Sequence, residues 1–140
     1  LMKKDFDSML PEMIVKPVVK DFLNNFKGTE QDSARFQYQL AQWQFKHMNY
    51  TAALISLQES ILSYACQLAN HDPFDKDERQ KIKDVICNDK EFIPFELRGV
   101  YFEITKNRNV VAHALESDFS SGKIIESLRT SLITVGKYIN

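Results

Sequence analysis

The sequence predicts an all-α fold, a compact bundle of about five to six helices, and three observations carry that prediction. Apolar residues recur at three- and four-residue steps through most of the chain. Four Gly and four Pro in 140 residues are too few for the many tight turns of a sandwich or barrel. No β-type alternation, internal repeat or low-complexity tract competes with the helical pattern.

Taken in order, Lys3 to Phe26 places Phe6, Met9, Leu10, Met13, Ile14, Val18, Phe22 and Phe26 near a helical repeat, with Pro17 predicting a kink or two short helices. Residues 1–28 read as a first helix or a connector from a missing amino-terminal domain, and 29–140 as the helical domain. The chain begins at Leu1 rather than Met, which fits a domain cut from a longer protein. Gly28 marks a stop, and Asp32 or Ser33 can cap a helix whose apolar face is expected to be Phe36, Leu40, Trp43 and Phe45.

A third helix follows the capping residue Asn49 and reaches Asn70, with Leu54, Leu57, Ile61, Tyr64, Ala65 and Leu68 on its stripe. Its small residues Ala52, Ala53, Ser56, Ser60 and Ala65 admit a close neighbour, so it is expected at the centre of the core. Asp77 can cap a short helix through Ile86 or Cys87. Phe95 to Lys106 is helical on Leu97, Val100, Tyr101 and Ile104, and leads directly into a polar stretch. A last helix starts near Lys123 on Ile124, Ile125, Leu128, Leu132, Val135 and Ile139.

Composition excludes several functions. The formal net charge is −1, so no global field draws a polyanion and any nucleic-acid contact must be a local patch. The two cysteines, Cys66 and Cys87, show no paired Cys/His spacing for zinc and read as reduced core thiols of a cytoplasmic protein. No cofactor or metal is implied. No apolar run approaches the roughly 20 residues that a membrane span requires.

The chemistry concentrates in Lys106 to Leu115, where Arg108, Asn109 and His113 lie within six residues. Arginine stays charged and offers a planar fork of donors to a phosphate, whereas histidine exchanges a proton near neutral pH. Asn109 is one turn from His113 and shares its face on a helix. Arg108 is offset from His113 by roughly 140° on a regular helix, so one protomer does not easily converge them. Neither Arg108 nor His113 belongs to an apolar stripe, and the fold is expected not to need them.

Arg108-Asn109-Val110-Val111-Ala112-His113 resembles the Arg-(four to six residues)-His signature of the HEPN superfamily, including the Asn that commonly follows the Arg. The region from Gln42 to Glu59, with its Tyr50-Thr51-Ala52-Ala53-Leu54 helix start, is similar to the HEPN domains of CRISPR-associated effector ribonucleases. The resemblance implies a metal-independent endoribonuclease that cuts single-stranded RNA and leaves a 2′,3′-cyclic phosphate, in CRISPR-linked or other antiviral defence. It implies catalytic roles for Arg108, Asn109 and His113, a homodimer with a composite active site, and a separate amino-terminal domain that senses a cyclic oligoadenylate. Lys106 and Arg98 are expected to flank the cleft and bind substrate.

Structural readings stand beside these. Arg108 can be a surface cation paired with Glu103 or Glu116, and His113 a satisfied helix-end histidine. His47 and His71 sit at helix ends and suit structural roles. Glu59 either reaches in to hold Arg108 or lies on a solvated flank. Trp43, Phe36 and Phe45 can stack bases but at helical spacing are more often core. The alternative function is a non-catalytic helical dimerisation or adaptor module of the same fold.

Overall fold

A computed structural model describes residues 32–112 and 121–139, and there the chain is all-α. Five helices follow in order: α1 (Ser33–Lys46), α2 (Tyr50–Leu68), α3 (Lys76–Asn88), α4 (Phe95–Ala112) and α5 (Ser121–Ile139). The expected connector at residues 1–28 lies outside the described residues, as does His113.

Side-chain caps set the starts. Asp32 accepts from the Arg35 backbone N–H at 3.1 Å, and Asn49 from that of Ala52 at 3.4 Å. Asp75, not the expected Asp77, caps α3, accepting from the N–H groups of Asp77 and Glu78 at 2.9 and 3.0 Å. Asp77 and Glu78 instead supply negative charge to the first turn of α3, where the helix dipole favours it. Two helices close through left-handed residues, Met48 (φ 60°) after α1 and Asn70 (φ 57°) after α2.

α2 is the axis of the bundle and touches each of the other four helices. Leu54, Leu57, Ile61, Leu62, Ala65 and Cys66 are buried on it, and so are Ser56, Gln58, Ser60 and Ser63, which lie off the expected stripe. Thr51, Ile55, Gln67 and Leu68 stay exposed, Leu68 against the expectation that put it on the buried stripe, but over most of the helix polar side chains are shut off from water. The buried polar groups are therefore bonded: Ser60 Oγ donates to the Leu57 carbonyl at 2.6 Å, and Ser56 Oγ to Gln44 Oε1 at 2.7 Å.

The expected apolar face of α1 is corrected. Ala34, Tyr38 and Ala41 are the buried residues of α1, while Phe36, Leu40, Trp43 and Phe45 are only half-buried. α1 packs more extensively on α2 than any other pair of described helices does, and both helices bury small residues, Ala34 and Ala41 on α1 and Ala53, Ser56 and Ser60 on α2, which permits a close approach. Cys66 is buried as expected, but Cys87 is exposed, because the short α3 turns only Ile82 and Ile86 inward, one turn apart. α4 also runs further than expected, to Ala112, so that Arg108 and Asn109 belong to regular helix.

α5 meets α1 at one tight crossing. The Tyr38 hydroxyl donates to the Leu132 carbonyl at 2.8 Å and accepts from Gln42 Nε2 at 3.2 Å. A Cβ on Gly136 would stand 2.4 Å from that hydroxyl oxygen and 3.2 Å from the ring carbon that bears it. Gly136→Ala is thus expected to destabilise the domain by about 1–3 kcal/mol through overpacking, outweighing a helix-propensity gain of about 1 kcal/mol. Urea unfolding checks this, and the Tyr38→Phe/Gly136→Ala double variant should be more stable than the sum of the single effects predicts.

Candidate functional site

Arg108 and Asn109 fall on the last two turns of α4. Leu97, Tyr101 and Ile104 form the buried stripe of this helix, and Arg108 continues it at seven residues from Tyr101 and four from Ile104. Its stem therefore faces the bundle while the side chain remains exposed. Asn109, the next residue, turns about 100° away to an exposed surface, and Lys106 is exposed as well.

The partner of Arg108 is Gln58 on α2, a residue absent from the sequence-based site. Arg108 Nη1 donates to Gln58 Oε1. Gln58 is only 7% exposed, and its amide Nε2 donates to Thr105 Oγ1 at 2.6 Å. The Thr105 hydroxyl in turn donates to the Tyr101 carbonyl at 3.0 Å. Gln58 thus spans two residues of α4 from the core helix. A signal for it existed in the sequence: Leu54, Gln58, Ile61 and Ala65 lie at core spacing, and a polar residue on such a stripe is the informative exception.

A second tie holds the same end of α4 from the opposite side. Asn107 is 7% exposed, and its Nδ2 donates to Ser127 Oγ on α5 at 3.1 Å. The segment Thr105–Arg108 is consequently fixed to both α2 and α5.

Glu59 does not hold Arg108. It pairs with Arg79 on α3, whose Nη1 also donates to the Pro73 carbonyl at 2.9 Å. Burial pushes the Arg79 guanidinium below its ordinary range, with the nearby Tyr101 hydroxyl acting in the other direction. Burial raises the Tyr101 phenol, the Cys87 thiol raises it further, and the charges of Arg108 and Arg79 pull it back. Arg108 forms no ion pair with a carboxylate among the described residues.

Arg98 has a different task from the one expected of it. Its Nε donates to the Ile86 carbonyl at 3.0 Å and its Nη2 to that of Cys87 at 3.1 Å, closing the carboxyl end of α3. The same guanidinium stacks over Phe102, 4.7 Å from the ring centre. Ten residues along α4, it stands roughly 15 Å from Arg108 by helical rise. His47 and His71 are also local: His47 Nδ1 lies 2.8 Å from the Trp43 carbonyl, and His71 Nδ1 lies 3.8 Å from Glu78 Oε1. Arg108, Asn109 and Lys106 thus share the carboxyl end of α4 but lie on different faces of it, and Arg98 stands about ten residues away along the same helix.

Among the described residues no group of His, Cys, Asp and Glu is disposed to hold a metal ion, and no helix is long and apolar enough to cross a membrane.

No family model matches the chain, and no solved structure does. The chain is similar to the CRISPR-associated protein MJ1674 of Methanocaldococcus jannaschii, with 29% identity over 117 residues. The match covers 80% of this chain and 18% of that protein, so the chain spans less than a fifth of its relative's length.

The cap geometry yields a prediction. Arg98→Ala should lower stability by about 1–2 kcal/mol, because two α3 carbonyls lose a charged donor. Thermal unfolding of the variant beside the parent chain tests this.

Proposed function

We propose that this chain is a metal-independent endoribonuclease domain of a CRISPR-linked protein, acting on single-stranded RNA as a two-fold homodimer. The observation that carries the reading is Arg108: an exposed guanidinium, anchored by a neutral amide, beside Asn109 on a helix whose sequence continues to His113. The similarity to a CRISPR-associated protein supports the biological setting.

The chemistry follows from these residue types. The 2′-oxygen of the RNA attacks the adjacent phosphorus and the bond to the 5′-oxygen breaks, giving a 2′,3′-cyclic phosphate and a 5′-hydroxyl. One imidazole takes the 2′-hydroxyl proton and another delivers a proton to the departing oxygen. The Arg108 guanidinium balances the charge that builds on the phosphoryl oxygens, and Asn109 orients an imidazole or an oxygen. Two histidines in two roles require two copies of His113, which a two-fold axis at this end of α4 supplies. A pair of Arg108 and Lys106 side chains then creates the local positive patch that a chain of net charge −1 lacks. Cyclic oligoadenylate sensing would belong to a separate amino-terminal domain, in keeping with the small share of the relative that this chain spans.

Cleavage of a labelled single-stranded RNA should persist in excess chelator, leave the cyclic phosphate, and fail when the 2′-hydroxyl at the cut site is replaced by hydrogen. The deoxy analogue should still compete for binding, with affinity that weakens as salt rises. Loss of all activity to a chelator, or equal cutting of the deoxy substrate, would falsify the mechanism.

Arg108→Ala and His113→Ala should each slow cleavage by on the order of 100-fold or more. The stability expectation differs between them. Arg108→Ala strands the buried Gln58 carbonyl and should lower stability by about 1–3 kcal/mol. Arg108→Lys, which retains a donor without the planar fork, should recover stability better than rate. Sedimentation should show a dimer, and a monomer cutting at the full rate would remove the composite site.

A further inference from the structure

We propose that Gln58 is a positioning residue for Arg108, holding its guanidinium in place through a neutral acceptor so that its full positive charge stays available to the RNA phosphate. The inference rests on the nuclease reading of Arg108 and adds a residue from a different helix, fifty positions away in sequence.

The hydrogen-bond chain dictates which way Gln58 faces. The Thr105 hydroxyl hydrogen is given to the Tyr101 carbonyl at 3.0 Å, so the Thr105 oxygen is left to accept. The Gln58 amide nitrogen fills that role at 2.6 Å, which turns the amide oxygen towards Arg108, a side chain that can only donate. Each member has one workable orientation. Burial of Gln58 at 7% exposure keeps water from competing for its oxygen.

The neighbouring residue supplies an internal comparison. Glu59 follows Gln58 on α2 and has nearly the same shape, and it pairs with Arg79. That pair is a charge-neutral tie: the Arg79 side chain is only 19% exposed, and it is bonded to the Pro73 carbonyl as well. Two adjacent α2 residues thus grip two arginines, one with a carboxylate and one with an amide. A carboxylate at position 58 would fix Arg108 equally well but would cancel the charge that a phosphate needs. The amide gives fixation without neutralisation. Arg108 commits one of its five N–H donors to Gln58.

The test compares Gln58→Met, Gln58→Glu, Arg108→Ala and the Gln58→Met/Arg108→Ala double variant with the parent chain. Each is measured for kcat and KM on labelled single-stranded RNA, with melting temperatures taken on the same samples. Gln58→Met, which keeps the volume and removes the acceptor, should reduce kcat on the order of 10- to 100-fold with little change in KM. Gln58→Glu should raise KM instead and reduce the slope of log affinity against log salt by about 1, as one cation is withdrawn from the phosphate. The double variant should be no slower than Arg108→Ala alone.

An unchanged kcat in folded Gln58→Met, or a Gln58→Met loss that multiplies fully onto that of Arg108→Ala, overturns the inference while leaving the nuclease reading intact. If Gln58→Met does not fold, Gln58→Glu decides: parental KM and salt slope overturn the proposal, and the shifts named above support it. A parent chain that cuts no RNA removes the nuclease reading itself, and this role for Gln58 with it.

Discussion

The constraint on which the rest of this structure depends is the burial of most of α2 against the other four helices of the described residues. Leu57, Ile61 and Ala65 have no measurable exposure, and the helix contacts all four of its neighbours. An element so placed must meet two demands together. Its apolar side chains must fill space on several faces, and each polar group it carries must find a partner inside the protein, because an unpaired buried polar group costs more than its bond returns. Ser56, Ser60 and Gln58 meet the second demand through bonds to Gln44, Leu57 and Thr105.

From this the character of the site follows. A guanidinium on an exposed helix end would ordinarily sample many rotamers, and fixing it has an entropic cost. α2 offers a platform whose own side chains are locked by packing, so a contact made to it inherits that rigidity. Asn107 adds a second tie to the same end of α4, donating to Ser127 on α5. Adjacent residues on the same platform do different electrostatic work: Glu59 neutralises Arg79 within the fold, and Gln58 holds Arg108 with its charge retained.

The sequence was a good guide to the elements and a poorer one to their faces. Helical spacing located α2, α4 and α5, and the capping roles of Asp32 and Asn49 could be read from residue type alone. α1 misled because Phe36, Leu40 and Trp43 form as regular a stripe as Ala34, Tyr38 and Ala41, and hydrophobic size favoured the wrong one. Only the close approach of α1 to α2 reveals that the small stripe faces inward. The bonds of Arg98 to the carbonyls at the end of α3 were likewise not legible, because they join residues of two different helices.

What the sequence by itself determined is therefore local: that the described residues are helical, where most of their helices begin to within a few residues, and that Arg108, Asn109 and His113 lie within six positions of one another. These properties follow from residue type and from spacing at a few positions' range, which is the range over which a helix repeats. The partnerships across helices were decided only by the tertiary structure. Gln58 and Arg108 are fifty residues apart, as Tyr38 and Leu132 are ninety-four, and no local rule couples such pairs. They meet because α4 packs on α2 and α5 packs on α1.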